Sequence, residues 1–372
     1  MPPPRNSGSS FLKQFTDYMR LDNKGIFILP IRSTTPTIKT SMNSWAGRFN
    51  SGSSSRNSDE KKYKFPDNLE GFGYHFDQKG QLRSIDGDQP FKFEVRSNDK
   101  AYNQAHYEAL GATITSHIET ELQTRFDLVR TTIPVDAQPG EPTSRIYCSR
   151  EAFTSERPIL MLVPGSLIEV GQWARKIVIN DNINTGSIYN YVRAARKAGY
   201  EIVALNSNYN YDVKTKKKIR GSEDPYSHVQ YVWQKIVAPA KSQEILIVAH
   251  SAGGYSTQKL VYAAFKSIKD RVKAIALTDS VHGGLGGFGR DEVDQWWYQH
   301  AINWVASSQP LGTMVSKGGD CVCWAAGDNR HEYTTVTAEE EVFAFFSERL
   351  KGVPFGEEEC HFRREGTPEG VD

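Results

Sequence analysis

Apolar residues along this chain change their spacing from one region to the next, and the changes predict its elements. Residues 1–60 carry few apolar side chains and show no helical or strand periodicity. In GFGYHFDQKGQLRSI two short runs flank the polar residues 77–80, which predicts a β-hairpin. From Tyr107 to Leu122 apolar residues recur three or four positions apart, and this spacing predicts a helix over 101–124.

Beyond residue 158 short apolar runs without alternation are each followed by a helical pattern. Such runs are typical of strands buried on both faces of a parallel sheet, and their alternation with helices predicts βαβ units. The predicted strands are 159–163, 202–205, 245–249, 274–277 and 321–325, and the predicted helices are 187–197, 226–237, 254–268, 292–307 and 338–350. The pattern therefore predicts an α/β fold with a doubly wound, mostly parallel sheet.

The composition of the chain ends sets the predicted domain limits. Residues 1–60 are rich in Ser, Asn, Pro and Gly and bury too little apolar surface to offset chain entropy, which predicts a disordered polar tail. One folded domain is predicted over 61–352, in which the hairpin and helix at 63–124 form an N-terminal extension of the core at 125–352. Residues 353–372 are predicted to form a flexible C-terminal tail.

Charge and hydropathy exclude several classes of protein. With 45 Lys and Arg against 44 Asp and Glu, the net charge of +1 argues against a chain whose whole surface coats nucleic acid. No apolar run approaches the ~18 residues of a membrane span, so no membrane partner is expected. The opening MPPPRNSGSS lacks the basic and apolar regions of a secretory signal, which predicts a protein that is not secreted.

The four cysteines are too few and too scattered for a disulfide framework, which favours the cytosol or the nucleus. No group of Cys and His residues has the spacing of a zinc site. The sequence therefore predicts neither a metal nor a cofactor.

The third predicted strand runs directly into His250-Ser251-Ala252-Gly253-Gly254, after which a helix begins. A serine in such a strand–turn–helix is typical of a nucleophile elbow, where the helix N-terminus stabilises an oxyanion. The backbone N–H of Ala252 would form the oxyanion hole with the loop after the first strand, which carries Gly165 and Ser166. The alternative is that Ser251 only caps the helix.

A serine nucleophile needs a base and an acid, and both types of side chain follow predicted strands. His331 comes after the last strand, where this fold places its base. Asp279 follows the strand 274–277 and is the first choice for the acid, with Asp328 as the alternative. His250 and His282 are alternative bases, although His250 is expected to pack beneath the turn.

A basic run, KTKKKIR, occupies residues 214–220, between the second predicted strand and the next helix. It fits a nuclear-import signal or a nucleic-acid patch, and it equally fits a solvated loop.

Several stretches, in order along the chain, resemble the Argonaute-binding-protein-two domain family. That family includes metazoan cotranscriptional regulators and the C-terminal domain of some class II histone deacetylases. The stretches are FPDNLEGFGYHFDQKGQLRSI, YEALGATI, IPVDAQPGEP, GQWARKIVIN, VAHSAGGYS, AIALTDSVH, NWVASSQPL and AGDNRHEYT. VAHSAGG alone fits any α/β-hydrolase, whereas the combination is specific.

The resemblance implies an α/β-hydrolase fold in which the position of Ser251 is regarded as the nucleophile. It also implies a role in an Argonaute siRNA chaperone-type complex, in heterochromatin assembly and gene silencing. The implied partners are Argonaute and silencing-complex subunits, with small RNA contacted indirectly, and the implied location is the nucleus and the cytoplasm.

One departure from the family concerns catalysis. Many relatives read His-Gly-Ser-Gly where this chain has PGSL at 164–167, which weighs against strong esterase activity. Two functions therefore stay open. One is a scaffold that binds partners, and the other is a serine hydrolase (esterase, thioesterase or amidase) that uses Ser251 on a small acyl substrate.

Overall fold

A nine-stranded mixed sheet is the framework of the computed structural model. The structure describes residues 63–283, 291–317 and 319–354. The tails predicted at 1–60 and 353–372 lie outside these residues, apart from residues 353 and 354. In the part that is described, no helix is long and apolar enough to cross a membrane.

The strands include the predicted hairpin and the predicted buried runs. The hairpin consists of β1 (Tyr74–Phe76) and β2 (Leu82–Ser84), which pair antiparallel. The strands of the sheet are β3 (Leu128–Ile133), β4 (Ser144–Ser149), β5 (Ile159–Val163), β6 (Glu201–Ala204), β7 (Ile245–His250), β8 (Val272–Thr278), β9 (Ala301–Val305), β10 (Met314–Ser316) and β11 (Val322–Ala325).

The strand order is β10-β11-β9-β8-β7-β5-β6-β4-β3. The strands from β6 to β11 in this order pair in parallel, whereas β4 pairs antiparallel with both of its neighbours and β10 pairs antiparallel with β11. Strand β5 lies between β6 and β7, so the winding reverses there, and ligands bind at the carboxyl ends of strands at such a point. This arrangement is that of an α/β-hydrolase-like fold, and the predicted fold class is confirmed.

Helices alternate with the strands as predicted. Their bounds are α1 (Lys100–Thr124), α2 (Arg175–Asn180), α3 (Ile183–Gly186), α4 (Tyr189–Lys197), α5 (Pro225–Val232), α6 (Gly253–Ile268), α7 (Glu292–His300), α8 (Thr334–Thr337) and α9 (Glu339–Leu350). A π-helical turn, Trp233–Val237, continues α5, and a 3-10 turn, His331–Tyr333, precedes α8.

The central strands are buried on both faces, as their unbroken apolar runs predict. Every residue of β5 and of β7 is buried. Alternate residues of the two strands, such as Met161 and Ile247, share one core cluster with Trp233 and with Leu260 of α6. At ~25 cal/mol per Å² of apolar surface removed from water, this two-sided burial is the main stabilising contribution to the fold.

The helix predicted over 292–307 is wrong in its second half. Helix α7 ends at His300, and residues 301–305 form β9, which pairs in parallel with β8 and β11. A run as short as AINWV does not distinguish helix from strand by its own periodicity. The two flanking strands decide, because they satisfy the backbone N–H and C=O groups of β9 on both sides.

Residue contacts divide the described part of the chain into two compact units. In the unit that contains residues 63–66 and 93–109, the ring of Tyr63 lies edge-on to that of Tyr102 at 5.0 Å, and the Arg96 guanidinium lies over Tyr102. In the unit that contains residues 67–92 and the described residues from 110 onward, the hairpin turn is held by the Ile183 N–H, which donates to the Gly80 carbonyl at 2.8 Å. The predicted domain limits stay a prediction.

Helix α6 begins in close contact with the end of β5, and this contact depends on Gly253. A Cβ at Gly253 would lie 2.7 Å from the carbonyl oxygens of both Val163 and Pro164, which belong to the backbone and have no room to move. We expect Gly253→Ala to lower the free energy of unfolding by about 1–3 kcal/mol, as overpacking does, measured by urea denaturation.

The matched control is Gly111→Ala in α1, where the new Cβ would meet only the flexible side chain of Arg175. Alanine is the better helix former by ~1 kcal/mol, so this variant should remain within about 1 kcal/mol of the wild type. Equal losses in the two variants would contradict the packing argument.

Candidate active site

Ser251 sits in a strained turn between β7 and α6. Its φ is +52°, in the left-handed region that residues with a side chain rarely adopt. The turn is closed by the Gly254 N–H and the Val281 N–H, which both donate to the Ser251 carbonyl, at 3.1 and 3.0 Å. Such strain is typical of functional positions, and this geometry is that of a nucleophile elbow.

The loop after β5 lies directly against the elbow. A Cβ at Gly165 would lie 3.0 Å from the Ser251 Cβ, so a larger residue would be in tight contact with the elbow. Asn208 Nδ2 donates to the carbonyls of both Gly165 and Ile168, at 2.8 and 2.9 Å. In a trans peptide the next N–H points the opposite way from the carbonyl, so the Ser166 N–H points away from Asn208.

Ala252, the third residue predicted for the oxyanion hole, directly follows Ser251 and is the N-cap of α6. Its N–H therefore lies at the positively polarised end of a 16-residue helix. Ala252 thus follows Ser251 directly in the chain, whereas Gly165 approaches it from the loop after β5.

Asp279 and His331 are in direct contact. His331 Nδ1 lies 2.6 Å from Asp279 Oδ2, and the two side chains are 18% and 10% exposed. The other carboxylate oxygen, Oδ1, accepts the Ala306 N–H at 3.1 Å. Asp279 also has a positive φ, of +43°, which places a second strained residue at this edge of the sheet. The contact occupies Nδ1 of the ring, which is the nitrogen that the acid bonds in a serine triad.

Asp328, the alternative acid, has a different partner. Its carboxylate bonds the Arg330 guanidinium at 2.9 and 2.6 Å and accepts the Arg330 N–H at 2.8 Å. The hydrogen bonds from Arg330 hold the pKa of Asp328 below its usual value. The structure therefore brings Asp279, and not Asp328, to the histidine.

His250, an alternative base, is buried beneath the elbow. Its Nδ1–H donates to the Thr278 carbonyl at 2.9 Å, and its ring lies 4.7 Å from the His331 ring, centroid to centroid. Burial, with a smaller effect from His331, lowers the pKa of His250 to about 3. The imidazole is therefore neutral at physiological pH and adds no charge beside His331. This position matches the expectation that His250 packs under the turn.

His282, the other alternative base, belongs to a separate group of side chains. Its Nδ1 lies 2.9 Å from Ser280 Oγ, and its Nε2 lies 3.2 Å from Asp320 Oδ1 and 3.4 Å from Cys321 Sγ. The sequence pattern does not indicate this group, because its members are on either side of α7 and β9 in the chain.

Two residues that the sequence analysis missed support the loop after β5. Asn208 binds the loop directly, and His228 binds the segment from which Asn208 comes. His228 Nε2 accepts the Asn206 N–H at 3.2 Å, and His228 Nδ1 lies 2.9 Å from Ser222 Oγ. No sequence motif marks either residue, since the contacts join the ends of β5 and β6 to helix α5.

Comparison with known proteins identifies relatives along most of the chain. A family model, the Arb2 domain, matches residues 65–214 and 208–311. The chain is 35% identical over 346 residues to the cotranscriptional regulator ARB2A homolog of Xenopus tropicalis, covering 79% of this chain and 82% of that protein. It is 34% identical over 342 residues to the cotranscriptional regulator ARB2A of Homo sapiens, covering 78% and 82%.

Solved structures give a weaker likeness. The histone deacetylase Clr3 has a TM-score of 0.44 and 18% sequence identity to this chain, covering 65% of this chain and 39% of that one.

The buried His228 makes stability depend on pH. Burial lowers its pKa to about 3, whereas the unfolded chain binds the proton near pH 6.5. The unfolded state therefore binds more protons between these values, and stability falls as the pH drops through this window. One such group contributes a slope of about 1.4 kcal/mol per pH unit. We expect His228→Gln to flatten the pH dependence of the free energy of unfolding by about this amount between pH 4 and 6, measured by urea denaturation.

Ser222→Ala is the matched control, because it removes the hydroxyl beside Nδ1 but keeps the imidazole. This variant should be less stable at every pH, but its free energy of unfolding should keep the pH dependence of the wild type. If His228→Gln kept the full slope, His228 would not be the buried neutral group that the structure describes.

Proposed function

The chain belongs to the Arb2-domain family, and on that premise we propose that it acts in the nucleus as the hydrolase-fold component of an Argonaute-containing silencing complex. The observation that carries this proposal is the identity of 34–35%, over more than three quarters of the chain, to relatives named as cotranscriptional regulators. In this role the protein takes part in small-RNA-directed heterochromatin assembly, and the fold serves as a binding scaffold.

The charge distribution supports indirect contact with small RNA. The net charge of +1 offers no general attraction to a phosphate backbone. In the basic run 214–220, Arg220 is bound to Glu141 and Asp136, so its charge is compensated. The side chains of Lys214, Lys216, Lys217 and Lys218 are exposed, and a short cluster of this kind suits recognition by an import receptor. RNA would then be reached through Argonaute.

Affinity purification of the tagged full-length chain from the nuclei of its native cells tests this proposal. We expect Argonaute and small RNA to co-purify with the wild type and, in equal amount, with Ser251→Ala. RNase treatment should release the small RNA but leave Argonaute bound, because the protein contact does not depend on RNA.

Gly253→Ala provides a control for dependence on the fold, because its Cβ would clash with the backbone at the end of β5. The Argonaute recovered with this variant should follow its folded fraction. Absence of Argonaute from the wild-type purification, or a tagged chain absent from the nucleus, would contradict the proposal.

A second function is favoured by a specific contact, the Asp279–His331 hydrogen bond beside the Ser251 elbow. In this function Ser251 Oγ attacks the carbonyl carbon of a small acyl substrate while His331 Nε2 takes the hydroxyl proton. Asp279 holds the imidazole through Nδ1 and stabilises the imidazolium. The N–H groups of Ala252 and Ser166 stabilise the oxyanion. His331 then protonates the leaving group, and a water molecule that His331 activates releases the acid and regenerates Ser251.

Covalent labelling with a fluorophosphonate measures this reactivity directly. We expect labelling of folded wild type at Ser251, none of Ser251→Ala, and a rate reduced by about 10²–10⁴-fold in His331→Ala, since a general base contributes about this factor. The readout is the rate of labelling followed by intact-protein mass spectrometry.

Two aspartates at the same edge of the sheet provide a matched pair. Asp279→Asn should slow labelling strongly, because the amide does not stabilise the imidazolium. Asp328→Asn should label at close to the wild-type rate, since Asp328 binds Arg330. An unlabelled Ser251 in folded wild type would rule out the hydrolase function and leave the scaffold function intact.

A further inference from the structure

Three side chains of different chemistry converge on one point between the segment after β8 and the start of β11. His282 Nε2 lies 3.2 Å from Asp320 Oδ1 and 3.4 Å from Cys321 Sγ. The nitrogen, oxygen and sulfur atoms all lie within 4.8 Å of one another. The side chain of His282 is only 6% exposed and Cys321 is buried, so water does not screen the group from most sides.

A hydrogen bond from Nε2 to Asp320 satisfies only part of this group. One ring nitrogen carries at most one hydrogen, so Nε2 bonds one of the two partners fully or shares its hydrogen between them. A cation placed between the three atoms would interact with all of them at once. A neutral imidazole, a carboxylate and a thiolate are the ligands that Zn²⁺ takes in proteins.

The separations also fit a tetrahedral ion. Zn–N and Zn–O bonds of about 2.0–2.2 Å and a Zn–S bond of about 2.3 Å, at tetrahedral angles, place nitrogen and oxygen about 3.4 Å apart and nitrogen and sulfur about 3.5 Å apart. The observed 3.2 and 3.4 Å agree with these values within about 0.2 Å.

The surrounding hydrogen bonds orient these atoms toward one another. Ser280 Oγ lies 2.9 Å from His282 Nδ1 and can accept its hydrogen, which leaves Nε2 as the ligand nitrogen. Gln258 of α6 donates from Nε2 to Asp320 Oδ2 at 2.6 Å and accepts the Gly283 N–H at 2.8 Å. Metal-binding histidines and carboxylates are commonly held by such partners, and here both ligands have one.

We propose that His282 Nε2, Asp320 Oδ1 and Cys321 Sγ form a Zn²⁺ site with three protein ligands. Three ligands leave a fourth position for water or an exogenous group. The ion would tie the segment after β8 to the start of β11. Asp279, which binds His331, belongs to the same segment, and so does Val281, whose N–H closes the elbow at Ser251. The proposal does not depend on either function proposed above.

Metal analysis of the full-length chain, purified without a polyhistidine tag or chelator, tests the site. We expect close to one Zn²⁺ per chain in the wild type after gel filtration. Once the metal has been removed, Co²⁺ added to the protein should give a thiolate-to-metal charge-transfer band. His282→Gln should lower the affinity for Zn²⁺ by about tenfold or more. Cys321→Ser should lose the charge-transfer band.

Cys148→Ser is the matched control, because this buried cysteine belongs to β4 and lies outside the three-ligand group. It should keep both the Zn²⁺ and the band. Gln258→Ala keeps all three ligands and should weaken Zn²⁺ affinity by about 10–100-fold, the usual cost of losing a partner of a metal ligand.

Measurements on the wild type keep the proposal falsifiable even where a variant does not fold. The proposal would be overturned by a folded wild type that retains no Zn²⁺ after gel filtration and gives no charge-transfer band with excess Co²⁺. Zn²⁺ that stays fully bound in a folded His282→Gln variant would overturn it as well. These results would leave Ser251 labelling and Argonaute recovery unaffected, so failure of the metal site is distinguishable from failure of the proposed functions.

Discussion

The contact between the N-terminus of α6 and the end of β5 is the constraint on which the site depends. Gly253 brings the helix backbone to the carbonyls of Val163 and Pro164, and Gly165 brings the next loop to Ser251. With the backbone held this closely on both sides, the chain turns within a single residue. Ser251 takes a φ of +52° as a result. The burial of β5 and β7 on both faces compensates for the cost of this strained conformation.

The titratable side chains around this turn have separate hydrogen-bond partners. His250 is buried and neutral beneath Ser251, and Asp279 is the carboxylate in contact with the His331 ring. Asp328 is held by Arg330 and does not compete for the histidine. The loop after β5 is oriented by Asn208 and not by a motif within itself. The loop therefore has support from a neighbouring strand end, although it lacks the His-Gly-Ser-Gly stretch of many relatives.

The segment after β8 connects the two candidate sites. Asp279 begins it, Val281 closes the elbow through the Ser251 carbonyl, and His282 reaches Asp320 and Cys321. Contacts that hold His282 therefore act on the same short segment that carries Asp279, the residue bonded to His331. A scaffold would benefit from this rigidity as much as a hydrolase would, because a binding surface built on strand ends needs the same fixed loops.

The amino-acid sequence by itself determined the α/β class, most helices and the elbow at Ser251. These depend on local patterns: unbroken apolar runs such as 159–163, helical periodicity, and small residues around a serine. Only the tertiary structure decided that 301–305 is a strand, that Asp279 and not Asp328 binds His331, and that His282 meets Asp320 and Cys321. The physical reason is that these outcomes depend on which strand ends become neighbours in the sheet. Pairing across the sheet joins residues far apart in the chain, and spacing along the sequence does not show which strands pair.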